Sequence, residues 1–428
     1  MHIYGTFVHT PTRGSLTLMR NTLVTVSEDG VITSITEKTT EDDLPPNTHR
    51  LSPTQFILPG LVDTHIHAPQ VTYSGSGNDV PLMTWLTKYA FPSETQFADA
   101  DWARHVYPKL VDRLLKNGTT AALYFGTIHL EANQILVDTC VDHGQRAFVG
   151  KVCMDQHAPD DYSETTEAAL RDTEQLIHYV RAKGLPDDRL GAVVTPRFIP
   201  TCSPTLLRGL GELAHRYDVR VQSHISESVD EVEFVGELYP NGETDTDIFG
   251  EARLLERSVM AHGVHLSDEN VKVLVEHGAS VAVCPLSNAY FAGGVFPVEK
   301  HHASGLKTGL GTDVAGGYAP SMLTAIRHAT LASRYAGHPL VDWVTALWMA
   351  TLGGAQCLGI DHKVGTFEIG KDFDALLVDV TVPTSPVDVF TREEPMDRWI
   401  EKFIHLGDDR NIVRVWVGGK MLLDNPAF

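Results

Sequence analysis

No stretch of this sequence approaches the roughly 20 consecutive apolar positions that a bilayer-spanning helix needs. The opening MHIYGTFVHTPTRG has neither the basic start and apolar run of a secretory signal nor the Arg-rich, acid-poor make-up of a transit peptide. No membrane span and a cytosolic location are therefore expected. Cysteine is scarce: Cys140, Cys153, Cys202, Cys284 and Cys357 are odd in number, widely spread and without a CxxC pair. That pattern indicates neither a disulfide framework nor a thiolate zinc cluster, and reduced core thiols are expected. Basic residues are in deficit too, with 34 Lys and Arg against 55 Asp and Glu and a formal charge of −21. Such a charge repels phosphate backbones and anionic lipids, which argues against nucleic-acid and membrane partners. No GxGxxG fingerprint, internal repeat, low-complexity tract or long linker is present.

What is present is a hydrophobic fraction of 43% in 428 residues, enough for a large core. Both ends read as short strands. Near the start these are 3–8, 22–26 and 31–36, the last following Asp29-Gly30; near the end they are 374–380, 412–417 and 420–423, the last two joined by Gly418-Gly419. The two ends are expected to share one small β element. Between them, eight apolar runs at 57–62, 119–124, 146–152, 190–195, 220–223, 258–261, 279–283 and 306–310 alternate with amphipathic helical patterns. Trp102, Val106, Leu110 and Leu114 make one such stripe, ending at Asn117-Gly118. Eight βα units fit a closed (β/α)₈ barrel better than an open sheet. The expected architecture is α/β: a TIM-like barrel over 57–365 and a small β-sandwich from 1–56 and 366–428.

Reactive-looking residues sit where these runs end, on the barrel face that carries active sites. The first run ends in PGLVDTHIH, and positions two apart on a strand point the same way, so His65 and His67 can face one ion. HxH alone does not separate a chelate from two unrelated histidines. The fifth run ends at Ser223-His224-Ile225-Ser226-Glu227, the sixth at Ala261-His262-Gly263, the eighth at Gly311-Thr312-Asp313. Singly, His224 and His262 read as core histidines, Asp313 as a helix cap and Glu227 as one of the solvated or capping acids Glu227, Asp230, Glu231 and Glu233. Together they form a set of imidazoles and a carboxylate suited to Zn²⁺ or Fe²⁺ rather than Ca²⁺ or Mg²⁺. A zinc-bound water has a pKa near 7, and Glu227 is placed to shuttle its proton.

These residues resemble the amidohydrolase superfamily, whose barrel enzymes carry HxH, His, His and Asp at the ends of strands one, five, six and eight. The fourth run ends in Thr195-Pro196-Arg197-Phe198, without the bridging group of two-metal members, so the resemblance implies one metal. It implies that His65, His67, His224 and Asp313 hold that ion, and that His262 and Asp313 orient the attacking water. The likeness narrows to the guanine deaminase family on PGLVDTHIHAPQ (59–70), LTKYAFPSE (86–94), NGTTAALYFGTIH (117–129), GQRAFVGKVCMD (144–155), TPRF (195–198), QSHISE (222–227), VMAHGVHLS (259–267), LGTDVAGGY (310–318) and LGDDRNI (406–412). HxH and TD recur widely, whereas HAPQ, TPRF and GTDVAGG together are specific.

That family resemblance implies guanine as substrate, xanthine and ammonia as products, a role in guanine catabolism, and a homodimer. Arg197 would fork onto O6 and N7 of the purine, Gln70 would pair with its polar edge, and Phe198 or Trp85 would lie against its plane. His67, His224, Glu227, His262 and Asp313 complete the implied substrate contacts. As catalysts, Glu227 would protonate a ring nitrogen, Asp313 would relay the water proton to the leaving amine, and His262 would donate to the developing oxyanion. Without the resemblance, Arg197 reads as an ion-pair residue and Trp85 as a core aromatic. One stretch departs from the family pattern: Cys284-Pro285-Leu286-Ser287-Asn288 continues as Ala289-Tyr290-Phe291-Ala292-Gly293-Gly294, a loop expected to border the pocket. The acidic segment 242–249 has no assigned role. Two other readings compete. His129-Leu130-Glu131 supplies the HxE of another zinc deaminase plan, but its PCxxC is missing. A barrel aminohydrolase for cytosine, adenosine-like compounds or a triazine would share the metal residues, and a catalytically silent scaffold would lack the Glu227, His262 and Asp313 set.

Overall fold

The chain first lays down β1 (His2–Thr12), β2 (Ser15–Val26), β3 (Ile32–Thr36), β4 (His49–Arg50) and β5 (Gln55–Pro59). Then follow the parallel strands β6 (Leu61–His67), β7 (Thr119–Phe125), β8 (Arg146–Cys153), β9 (Leu190–Pro196), β10 (Arg220–Ile225), β11 (Ser258–His262), β12 (Ser280–Val283) and β13 (Lys307–Leu310). The tail adds β14 (Ala375–Asp379), β15 (Ile412–Val417) and β16 (Lys420–Asp424). This computed structural model describes residues 1–390 and 394–424. Among them, no helix is long and apolar enough to cross a membrane.

β6 to β13 pair in sequence order, each strand parallel to the next. The ring is closed between its first and last strands: the Thr64 hydroxyl donates to the Leu310 carbonyl at 2.9 Å, and the Asp313 N–H donates to the His65 carbonyl at 2.9 Å. Asp63 accepts both the N–H and the hydroxyl of Thr312. The result is the expected (β/α)₈ barrel. Its strands are buried on both faces, which is why they read as unbroken apolar runs. Leu123, Phe148, Val193 and Val259 fill the barrel's lower interior, with Leu358 and Ile360 in the same cluster. The opposite end is left for chemistry.

One strand differs from its sequence reading. The run at 57–62 is two strands: β5 pairs with β1 and β14 in the small sheet, and only β6 enters the barrel. The chain switches sheets at Gly60, where a Cβ would lie 2.0 Å from the Thr120 hydroxyl oxygen, so only glycine permits the approach. An apolar run records burial, and both sheets bury it.

The small element is one mixed sheet, ordered β16-β15-β14-β5-β1-β2-β3 with β4 beside β1. Its ends meet, since the turn at Gly30 abuts Gly418-Gly419, and the curled sheet encloses Phe7, Phe367, Phe373 and Trp416. Alternate residues of β5 and β14 serve two cores. Ile57 and Leu377 face this one, while Phe56, Leu58, Leu376 and Val378 join the main core.

Within the small sheet His9 is buried, stacks on Phe367 at 6.0 Å and accepts the Phe367 N–H at 3.1 Å. Burial pushes its pKa down to about 4. Below pH 6.5 the unfolded chain takes up a proton that the folded chain refuses, so stability is lost as pH falls toward 4, by on the order of 2–3 kcal/mol. Thermal melts from pH 6.5 to 4.5 should therefore fall more steeply for the wild type than for His9→Gln. Equal slopes would remove His9 from the acid response.

Candidate active site

His65 and His67, two apart on β6, do project together, with ring centroids 5.0 Å apart. His224 ends β10 and places Nε2 3.0 Å from His67 Nε2. Asp313, just past β13, sets Oδ1 3.1 Å from His65 Nε2 and 3.6 Å from His67 Nε2. One donor atom from each of His65, His67 and His224 lies within 4.8 Å of the others. The four residues read from the sequence are thus brought together.

Their protonation suits a cation. The backbone N–H and the Nδ1–H of His224 both point to the Arg197 carbonyl, at 3.1 and 2.6 Å, which leaves Nε2 bare. Two nitrogens at 3.0 Å need a proton or a cation between them. Burial pushes His65, His67 and His224 well below the usual imidazole range, so all three are neutral, as metal ligands must be. His65 Nε2 and His262 Nε2 are buried without a hydrogen-bond partner. Buried orphans of this kind call for an ion or water. A mixed nitrogen and carboxylate donor set fits zinc.

The remaining acid–base groups stand beside this cluster. His262, at the end of β11, gives Nδ1–H to Asn288 Oδ1 at 2.9 Å; its Nε2 lies 3.6 Å from Glu227 Oε2 and 3.8 Å from Asp313 Oδ2. In that tautomer neutral His262 accepts at Nε2, so the oxyanion-donor role requires the imidazolium form. Burial, reinforced by the Asp313 charge, holds the Glu227 carboxyl well above the usual range. Burial raises Asp313 as well, with His262 and the Ser287 hydroxyl opposing. Ser226, His262 and Asp313 occupy the left-handed region at φ 44, 73 and 47°. Such backbone costs about 1–3 kcal/mol each and clusters where side chains must be aimed.

Gly316 shows how tightly the site is built. A Cβ there would lie 2.7 Å from Ser287 Oγ and 2.9 Å from Asp313 Oδ2. Gly316→Ala should lower catalytic turnover at this site by at least tenfold while leaving the melting temperature within a few degrees. Unchanged turnover would show that the contact is accommodated.

A cavity opens onto these groups, lined by His67, Gln70, Trp85, Arg197, Phe198, His224, Glu227, His262 and Asp313. Every expected substrate contact is on its wall. Leu82, Leu86, Ser287, Phe291 and Gly316 line it too. The loop that departs from the family pattern does border the pocket: Phe291 packs on Trp85 with ring centroids 5.1 Å apart.

Residues 56–422 match the amidohydrolase family. The chain belongs to that family. A guanine deaminase of Mus musculus is 44% identical over 98% of this chain and 96% of its own length. A crystal structure of a guanine deaminase from C. acetobutylicum with bound guanine in the active site superposes with a TM-score of 0.91 at 32% identity, covering 98% of this chain and 99% of that one. An adenosine deaminase from Xanthomonas campestris with bound zinc shares the fold at 24% identity and a TM-score of 0.85, covering 99% of this chain and 93% of its own.

Several residues of this amidohydrolase site escaped the sequence reading. Glu94, fully buried, accepts Arg197 NH1 and NH2 at 2.6 and 3.1 Å, so the end of the Arg197 fork is engaged by protein. The ion-pair reading of Arg197 holds alongside its place in the pocket wall. Glu231, read only as part of an acidic run, is buried and accepts the Glu227 N–H at 2.6 Å. Asp245 accepts the Ser226 N–H and hydroxyl at 2.7 and 2.9 Å. This gives the segment 242–249 a role: Thr244 and Asp247 cap a short helix, and Asp245 turns inward to pin the loop that carries Glu227. Cys284 shares a cluster with His65, His262 and Asp313, and burial and neighbouring carboxylates push its thiol up.

Proposed function

We propose that the protein is a guanine deaminase, converting guanine and water to xanthine and ammonia. The observation that carries this reading is one cavity with neutral imidazoles, Asp313 and Glu227 on one wall and the N–H donors of Arg197 and Gln70 on another. Near-full-length similarity to guanine deaminases supports the choice of substrate.

His65, His67, His224 and Asp313 are the residues that would hold one zinc ion per chain, with ferrous iron suited to the same donors. When bound, such an ion brings a coordinated water to a pKa of about 7. The protein's own groups do the rest. Glu227, whose carboxyl burial pushes well above the usual range, donates to a ring nitrogen beside C2 as water adds there. His262 Nε2 accepts a hydrogen bond from the attacking water. Asp313 has Oδ1 3.1 Å from His65 Nε2, while Oδ2 lies 3.8 Å from His262 Nε2, beyond hydrogen-bond distance, so Oδ2 can take the water's proton and pass it to the exocyclic nitrogen. Ammonia then leaves in place of an amide ion, and the C2 hydroxyl returns its proton to Glu227 as the 2-oxo group of xanthine forms. Phe198 and Trp85 bound the purine plane, and Arg197 and Gln70 fix its far edge.

Ammonia release from guanine, adenine, cytosine, adenosine and an aminotriazine tests the reading. Guanine should be preferred by at least 10²-fold, with xanthine seen in the ultraviolet, and a faster reaction on any other compound would displace it. A cytosolic homodimer acting without nucleic-acid or membrane partners belongs to the same proposal, carried by family resemblance and charge, and light scattering reads the assembly.

A further inference from the structure

Glu94 lies outside the cavity wall, yet its carboxylate organises both side chains that face the far edge of the substrate. It accepts Gln70 Nε2 at 2.8 Å, both terminal nitrogens of Arg197, and the Tyr162 hydroxyl at 2.7 Å. Gln70 is held at its other end by the Ala315 N–H, which reaches Oε1 at 3.1 Å. A carboxylate only accepts and a backbone N–H only donates, so these two partners fix which way the amide lies. Its oxygen is turned to the Ala315 N–H, and its second N–H is left without a protein partner. Arg197 has five N–H donors and no acceptor. Two go to Glu94, the ring of Phe91 lies 4.9 Å from the guanidinium carbon, and the remaining N–H groups are left for the pocket.

We infer that Glu94 is a specificity-determining residue: by engaging Arg197 and locking the Gln70 amide, it makes the far edge of the pocket donor-only, so that a 6-oxo purine is admitted and a 6-amino purine is rejected. This rests on the guanine deaminase reading above. Guanine offers O6 and N7, both acceptors, to such an edge. A 6-amino group sets N–H against N–H and leaves buried donors unpaired, and mismatches of that kind discriminate by about 10⁴ or more. Without a carboxylate at position 94, the Gln70 amide is free to turn its oxygen toward the substrate and accept from a 6-amino group.

The test compares guanine with 2,6-diaminopurine, which keeps the reacting 2-amino group and differs at C6 and in the hydrogen on the adjoining N1. In the wild type, kcat/KM should favour guanine by at least 10³-fold. In Glu94→Gln with unchanged zinc content, guanine KM should rise by at least tenfold, more than kcat falls, and the preference should narrow by at least tenfold. A preference that stays at its wild-type value, whatever the absolute rates, overturns the inference and leaves Glu94 a purely structural residue. A second measurement needs no variant: hypoxanthine should bind the wild-type zinc protein at least 10²-fold more tightly than adenine, and equal binding would also overturn it. Because calorimetry reads that binding without turnover, failure of the inference is separable from failure of the guanine reaction itself.

Discussion

Glu227→Gln keeps the wild-type zinc content and lowers kcat on guanine by about 10² to 10⁴, the usual worth of a general acid–base group. The substitution keeps the shape of a residue that is only 6% exposed, and the backbone N–H at this position is held by Glu231 at 2.6 Å in either case. What it removes is the proton. In the wild type, burial and the Asp313 charge push the carboxyl well above the usual range, which favours its protonated form, and the carboxyl stands 3.6 Å from His262 within the cavity. An amide presents N–H groups of similar reach but cannot surrender one to a ring nitrogen at any useful rate. KM should change less than kcat, since the lost interaction develops in the transition state. Steady-state kinetics with metal analysis on the same sample checks this, and near-normal turnover with full zinc would contradict it.

His65→Ala should have the larger effect. Its ring sits at the centre of the cluster, 3.1 Å from Asp313 and with ring centroids 5.0 and 4.9 Å from those of His67 and His224. Truncation removes one ligand and leaves a void beside Phe125, whose ring packs on His65 at 4.8 Å. Loss of the ion forfeits several kcal/mol of transition-state stabilisation, so turnover should fall by at least about 10³-fold. A misfolded variant would give the same loss, and melting separates the two. Added zinc should raise the melting temperature of stripped wild-type protein by mass action. His65→Ala should fold with a normal circular dichroism spectrum and show a much smaller zinc-dependent shift.

Much of this architecture was legible because it repeats. The barrel strands are buried on both faces and so leave apolar runs, and the metal-type residues fall at four strand ends in the order His65 with His67, His224, His262 and Asp313. What stayed hidden depends on distance along the chain or on a change of partner. Glu94 and Arg197 are 103 residues apart, and nothing local to either marks the pair, although a buried guanidinium implied some carboxylate. The break at Gly60 was invisible because β5 and β6 are both apolar. Glu231 and Asp245 looked like surface acids because their neighbours are acidic, and only the fold shows that they turn inward to backbone N–H groups beside Glu227.

The central claim is that one ion, held by His65, His67, His224 and Asp313, supports hydrolysis of guanine in this pocket. Metal-stripped protein titrated with zinc while guanine loss and xanthine gain are followed in the ultraviolet tests it most directly. Turnover should start near zero, rise in proportion to zinc and level off at one equivalent per chain. Guanine turnover that ignores zinc, or that continues to climb to two equivalents, would contradict it.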